Sequence, residues 1–149
     1  MKSGLFPFGL KKMNKADAIN VMRQNANAML MLMEKHYINK IELYFPQEHS
    51  EIFTNKNYSA WGLADINFFV TLKDDSSAAD LSLFSNSLSD ILQYDFTLFS
   101  YSSLIKTFVA KSKELHVPPN KTEELYKKIL KQTEVLIEVT NSFYNKSTS

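Results

Sequence analysis

The sequence predicts an α+β fold in which a small three- to four-stranded mixed sheet carries helices packed on it. Three observations lead there. Stretches whose apolar residues recur with period two alternate along the chain with stretches of helical period. Aromatic residues make up 13% of the chain while glycines number only 3 and prolines 4, so there is ample apolar surface to offset the entropy of ordering. At 149 residues the chain has the common size of one domain and can bury roughly two-thirds of the surface its unfolded form exposes. We expect a domain over 14–144, a flexible N-terminal segment over 1–13 and a flexible tail over 145–149.

The elements follow in order. Asn14 with Asp17 reads as an N-cap with an acid in the first turn, and Ala18, Met22, Ala26, Met29, Leu30 and Met33 recur at helical spacing to about His36. Met31 points off that stripe. Residues 40–45 alternate, with Ile41, Leu43 and Phe45 set against Glu42 and Tyr44, which predicts a half-buried strand stopped by Pro46. Residues 47–63 predict a long connection with a helical turn near 50–54. The β-branched and aromatic run 65–72 predicts a second, central strand, and Ser77 with Asp80 predicts the cap of a helix over 78–92 whose stripe is Leu81, Phe84, Leu88 and Ile91. Residues 94–101 read as a third strand. Ser102 or Ser103 then caps a short helix presenting Leu104, Ile105, Phe108 and Val109. After Val117-Pro118-Pro119, Asn120 and Glu123 open a last helix in which Leu125, Ile129, Leu136 and Phe143 share a face.

Composition excludes several classes of function. The chain has no cysteine, so disulfides, thiolate metal sites and thiol nucleophiles are absent. Lys and Arg number 17 against 16 Asp and Glu, a balance that supplies no field for nucleic acid or an anionic membrane. Lys121, Lys127, Lys128 and Lys131 are interspersed with Glu123, Glu124, Glu134 and Glu138 and read as a solvated helix face. The apolar patch 5–10 is too short for a signal peptide or a membrane span, so a cytoplasmic location is the expectation. His36, His49 and His116 lack metal-ligand spacing, although Glu42, Glu48, His49 and Glu51 lie close enough in sequence to gather a hard cation. No glycine-rich phosphate loop or exposed-serine turn is present in the sequence.

The segments around 34–44 and 61–70, followed by the strand that ends in Tyr101-Ser102-Ser103-Leu104, resemble the minimal nucleotidyltransferases. These are small polymerase-β-like domains that include bacterial antitoxin-type members. In that family a first strand runs into a Gly-Ser turn, the next strand opens with Asp-x-Asp, and a third acid lies on the strand after it. The resemblance covers about 16–108. It places Gly-Ser on Phe45-Pro46, Asp-x-Asp on Asp65-Ile66-Asn67, and the third acid on Thr97 in one register or Asp95 in another. Residues two apart on a strand face the same way, so two carboxylates there can hold Mg²⁺ against a triphosphate. With neutral Asn67 and with proline in the turn, that chemistry is lost.

The resemblance therefore implies a catalytically degenerate, nucleotidyltransferase-like domain that works as an antitoxin-like protein-binding module, with a helical protein partner or a second copy of itself. The interface candidates are Leu5, Phe6, Phe8, Met31 and Trp61. No cofactor, nucleotide, nucleic acid or membrane partner is expected. Mg²⁺ enters only under an alternative in which Asp65 and Asp95 hold one ion in an active, divergent transferase. A further alternative is an assembly subunit built on a symmetric apolar interface.

Overall fold

The computed structural model describes residues 14–53, 57–73 and 78–139. Among these residues it has an α+β architecture of five helices and a four-stranded mixed sheet, as the alternation of periods predicts. The strands are β1 (Ile38–Tyr44), β2 (Asn67–Leu72), β3 (Thr97–Ser100) and β4 (Glu134–Glu138), in the order β3-β2-β1-β4. β1 and β2 are antiparallel. The Lys73 amide donates to the Tyr37 carbonyl (2.8 Å) at one end, and Asn67 meets Tyr44 at the other. The β1–β4 pair is also antiparallel, Val139 N–H donating to the Asn39 carbonyl (2.8 Å) while Thr133 reaches Glu42. The mixed character then lies in β2 and β3, which run parallel and are joined through a helix.

By contacts the chain divides into two compact units, one of Met1–Ile41, Val70–Asp95 and Val135–Ser149, the other of Glu42–Phe69 and Phe96–Glu134. In the first unit lie α1 (Lys15–Gln24), α2 (Ala26–Lys35) and α3 (Ala78–Leu92). Asn14 caps α1, its side chain accepting from the Asp17 amide at 2.8 Å. The expected continuous helix is broken at Asn25, which has φ −109° and ψ 17° and turns its side-chain amide back onto the Val21 carbonyl (2.8 Å). That local bond competes with helix continuation. The methionine stripe survives the break, since Met22, Met29 and Met33 are buried with Ala18. α3 spans the expected residues and buries Phe84, Leu88 and Leu92. His36, at the end of α2, is buried edge-on to Phe84, with its Nδ1 3.5 Å from the Asp80 carboxylate. Ser77, the expected cap of α3, lies outside the described residues.

The second unit holds α4 (Tyr101–Glu114) and α5 (Pro119–Lys131), which pack on each other, and 3-10 turns at Pro46–Glu48, Ser50–Ile52 and Tyr58–Trp61. The turn at Ser50–Ile52 falls where a helical turn was expected. Ser100 caps α4, accepting from the Ser103 amide at 3.2 Å, so the cap stands earlier than Ser102 or Ser103 and the third strand is correspondingly shorter. The unit's core is dominated by rings. Tyr44 stacks on Phe69 (5.9 Å between centroids), Trp61 tilts against Phe108 (5.0 Å), and Leu63, Leu104, Leu125 and Ile129 fill between them.

The last helix departs most from expectation. α5 ends at Lys131, and residues 134–138 form β4, so Leu136 is a strand residue. The run Val135-Leu136-Ile137, with Val139 beyond it, is rich in β-branched residues and fits a strand better than a helix, whereas Leu125 and Ile129 keep helical spacing inside α5. Phe143 lies outside the described residues.

Candidate functional site

Sequence places the candidate site at the ends of three adjacent strands, and the geometry there is set by Asn67. It opens β2 beside the last residue of antiparallel β1, Tyr44, and the first residue of parallel β3, Thr97. Its side chain is fully buried (0% exposed) and uses both ends of the amide. Nδ2 donates to the carbonyls of Tyr44 (3.1 Å) and Ala64 (2.8 Å). Oδ1 accepts from the Ala64 amide (2.9 Å) and from the Thr97 hydroxyl. Two donors and two acceptances saturate an asparagine side chain of this kind in a buried site. The arrangement is a neutral tie across three strands.

Asp65 precedes this tie in the turn before β2. It is half-buried and accepts a hydrogen bond from the Tyr58 hydroxyl. That bond, then burial, then the Asp65 charge push the Tyr58 phenol up to about 12. Asp95 is exposed and belongs to the other unit. Where the resemblance puts Gly-Ser, Phe45 and Pro46 are buried. Their carbonyls accept from the Glu48 (3.1 Å) and His49 (2.9 Å) amides within the 3-10 turn, so those two amides are already engaged. Proline itself offers no N–H.

The group Glu42, Glu48, His49 and Glu51 does not assemble. Among the described residues no three His, Asp or Glu side chains gather to hold a metal ion. His49 stacks on the Tyr44 ring (6.3 Å, 14° between planes), and burial, with the Glu51 charge behind it, raises the Tyr44 phenol above its ordinary value. Glu42 is instead buried in β1, taking hydrogen bonds from the Tyr101 hydroxyl and from Thr133 Oγ1 (2.6 Å). Period-two reading placed Glu42 and Tyr44 on an open face. Both faces of β1 are covered from Ile41 to Tyr44, because Tyr44 joins the ring-rich core and Glu42 meets the Tyr101 and Thr133 hydroxyls, distant in sequence.

The interface candidates fall differently. Leu5, Phe6 and Phe8 lie outside the described residues. Met31 is 72% exposed on α2, as its position off the stripe predicted. Trp61 is 1% exposed and belongs to the core, because the left-handed Gly62 (φ 88°) that caps its 3-10 turn lets the ring fold onto Phe108. Leu83 on α3, 54% exposed, is an apolar surface residue that the stripe reading passed over. Its signal was its place between Phe84 and the polar face at Ser82.

No helix among the described residues is long and apolar enough to cross a membrane. No family model matches the chain, and neither a curated protein nor a solved structure matches it.

Proposed function

We propose that this chain is a catalytically degenerate, nucleotidyltransferase-like domain that acts by binding another protein. One observation carries the reading: at the positions where the resemblance expects metal-binding carboxylates, Asn67 and Thr97 hydrogen-bond to each other and Asn67 spends its remaining valences on the backbone. A hard divalent ion needs anionic oxygens to offset its dehydration, and this pair supplies none. Asp65 remains as a lone carboxylate, held by Tyr58. Exposed Met31 and Leu83, on helices α2 and α3 that pack on each other, support a surface for an apolar protein partner. The resemblance implies that the partner is helical.

Thermal unfolding of the full chain with each of the four nucleoside triphosphates and Mg²⁺ or Mn²⁺ tests the reading. A ligand at a hundred times its dissociation constant adds about 2.7 kcal/mol, which is a shift of several degrees for a domain of this size. We expect no shift. A shift that Asp65→Ala abolishes would overturn the proposal in favour of an active transferase. Protein binding is read separately, by sedimentation of the chain with and without Met31→Asp and Leu83→Asp and by capture of a stoichiometric partner that those substitutions release.

A further inference from the structure

β4 stands at one edge of the sheet and pairs with β1 on its inner side. The Val139 amide bonds to the Asn39 carbonyl (2.8 Å), which fixes the phase of this antiparallel ladder. Backbone groups alternate in direction along a strand, so Ile137 and Val139 turn theirs towards β1 while Leu136 and Glu138 turn theirs outward. Among the described residues no backbone hydrogen bond meets that outer row. Residues 135–139 belong to the first unit, as do residues 38–41 of β1 beside them.

Side chains decide what this edge accepts. On one face Val135 is 56% exposed and Ile137 half-buried, so a further strand would have apolar surface to cover. On the other face exposed Glu134 and Glu138 close the strand at either end. Glu138 forms no ion pair among the described residues, and Lys40 of β1 is half-buried, so the exposed charge of the strand is acidic. In the fully overlapped pairing of two β4 strands about Leu136, Glu134 of each copy faces Glu138 of the other. Like charges directly opposite destabilise a strand pair, so the carboxylates oppose self-pairing and favour a basic strand. The other edge differs: β3 has four residues, none charged, and runs straight into α4.

We propose that the outer edge of β4 is a docking site for an extended, basic segment of another protein, which joins the sheet as an antiparallel strand. Two of its basic residues, four apart, stand opposite Glu134 and Glu138. The residues between them that share the face of Val135 and Ile137 are apolar and cover those side chains. The backbone of Leu136 and Glu138 supplies the ladder, and the charges select the partner. The site shares no residue with the Asn67 tie or with Met31 and Leu83, so its test is separate from theirs.

The probe is the peptide acetyl-Thr-Lys-Val-Thr-Val-Lys-Thr-amide, titrated into the isotope-labelled full chain and followed by amide chemical shifts and hydrogen exchange. Before peptide is added, the Ile137 and Val139 amides should exchange slowly and those of Leu136 and Glu138 fast. Protection of the latter two in the free chain would show the edge already covered and overturn the proposal. With peptide we expect saturable shifts centred on residues 135–139 and exchange at Leu136 and Glu138 slowed by about tenfold or more. Methylating the central threonine amide of the peptide, which faces the edge, should weaken binding by about fivefold or more, whereas methylating a valine amide, which faces away, should change it by less than about twofold. Glu138→Lys should keep the melting temperature, because the side chain is exposed, yet bind the peptide about threefold or more weakly and bind better a peptide with glutamates in place of its lysines. The proposal is overturned by an absence of shifts up to about 2 mM peptide, by shifts centred elsewhere, by equal losses from the two methylations, or by equal affinity of the parent chain for the lysine and glutamate peptides.

Discussion

Asn67→Asp restores the carboxylate that the resemblance expects, and its cost can be worked from the surroundings of the side chain. Asparagine donates two hydrogen bonds from Nδ2, to Tyr44 (3.1 Å) and Ala64 (2.8 Å) carbonyls. An ionised aspartate has no donor, so it loses both and turns an oxygen towards two carbonyl oxygens. Each buried acceptor left unsatisfied costs about 1–3 kcal/mol, which puts the loss at about 2–6 kcal/mol before any cost of burying the charge. Domains of this kind have about 5–15 kcal/mol in total. At about 2–4 °C per kcal/mol, a loss near the middle of that range lowers the melting temperature by about 8–16 °C at neutral pH.

The pH dependence carries a second, independent sign. Burial without a cation raises the new carboxyl above its ordinary value of about 3.9, so the folded variant holds a proton that the unfolded chain releases. Below about pH 4 both states are protonated and the deficit is smallest, since a carboxylic acid regains one donor. The deficit then grows as pH rises, until the folded group itself ionises. Melting curves of the parent and Asn67→Asp between pH 4 and pH 8, with and without Mg²⁺, measure all of this. A variant that melts within about 2 °C of the parent throughout would refute the argument that the amide ties the strands. A variant stabilised by Mg²⁺ beyond the parent would show instead that a metal site lies one atom away from being restored.

The other expectations concern Gly62 and Tyr58. Gly62→Ala places a Cβ on a residue with φ +88° and 3.2 Å from Thr107 Cγ2, so it should cost about 1–2 kcal/mol in urea unfolding; an unchanged midpoint would show that the turn can rebuild in another conformation. Tyr58→Phe removes the hydroxyl that Asp65 holds. Because the folded phenol sits at about 12 against an ordinary 10.0, its contribution to stability is intact below pH 10 and is lost as pH rises towards 12. The melting temperature of the parent should therefore fall more steeply than that of Tyr58→Phe between pH 9.5 and pH 11.5, and equal slopes would remove the Tyr58–Asp65 bond from that account.

Much of the fold could be read from local pattern because local physics decides it. Asn14 caps α1 through its own side chain, and α3 runs over the residues its stripe marks. Central β2 is recognisable from its unbroken β-branched and aromatic run. What failed to show was masked by an intact periodicity or had distant causes. The break at Asn25 leaves the methionine spacing intact, so periodicity passes over it. β4 was read as helix because Leu125, Ile129 and Leu136 stay near one helical face even after the chain has left the helix. Only the β-branched cluster from Val135 onwards, together with a place beside β1, decides for a strand. Glu42 is satisfied by hydroxyls 59 and 91 residues away, and no window on the sequence contains those partners.

The candidate site was legible in position and illegible in kind. Sequence brought Asn67, Thr97 and the end of β1 together through a resemblance, and the hydrogen bonds explain why a neutral pair suits that corner. The ends of β1 and the turn before β2 present two carbonyl oxygens and one amide to the same buried point. A carboxylate answers only the amide and needs a cation to reconcile it with the carbonyls. A primary amide answers all three at once, and its oxygen keeps a lone pair for Thr97. Asn67 and Thr97 are thus chemically matched: an acid at 97 leaves Asn67 Oδ1 without the hydroxyl donor, an acid at 67 strands the two carbonyls, and the amide and hydroxyl together need no ion. With a neutral amide at its centre, the corner is a clasp on three strands that needs no ion to close it.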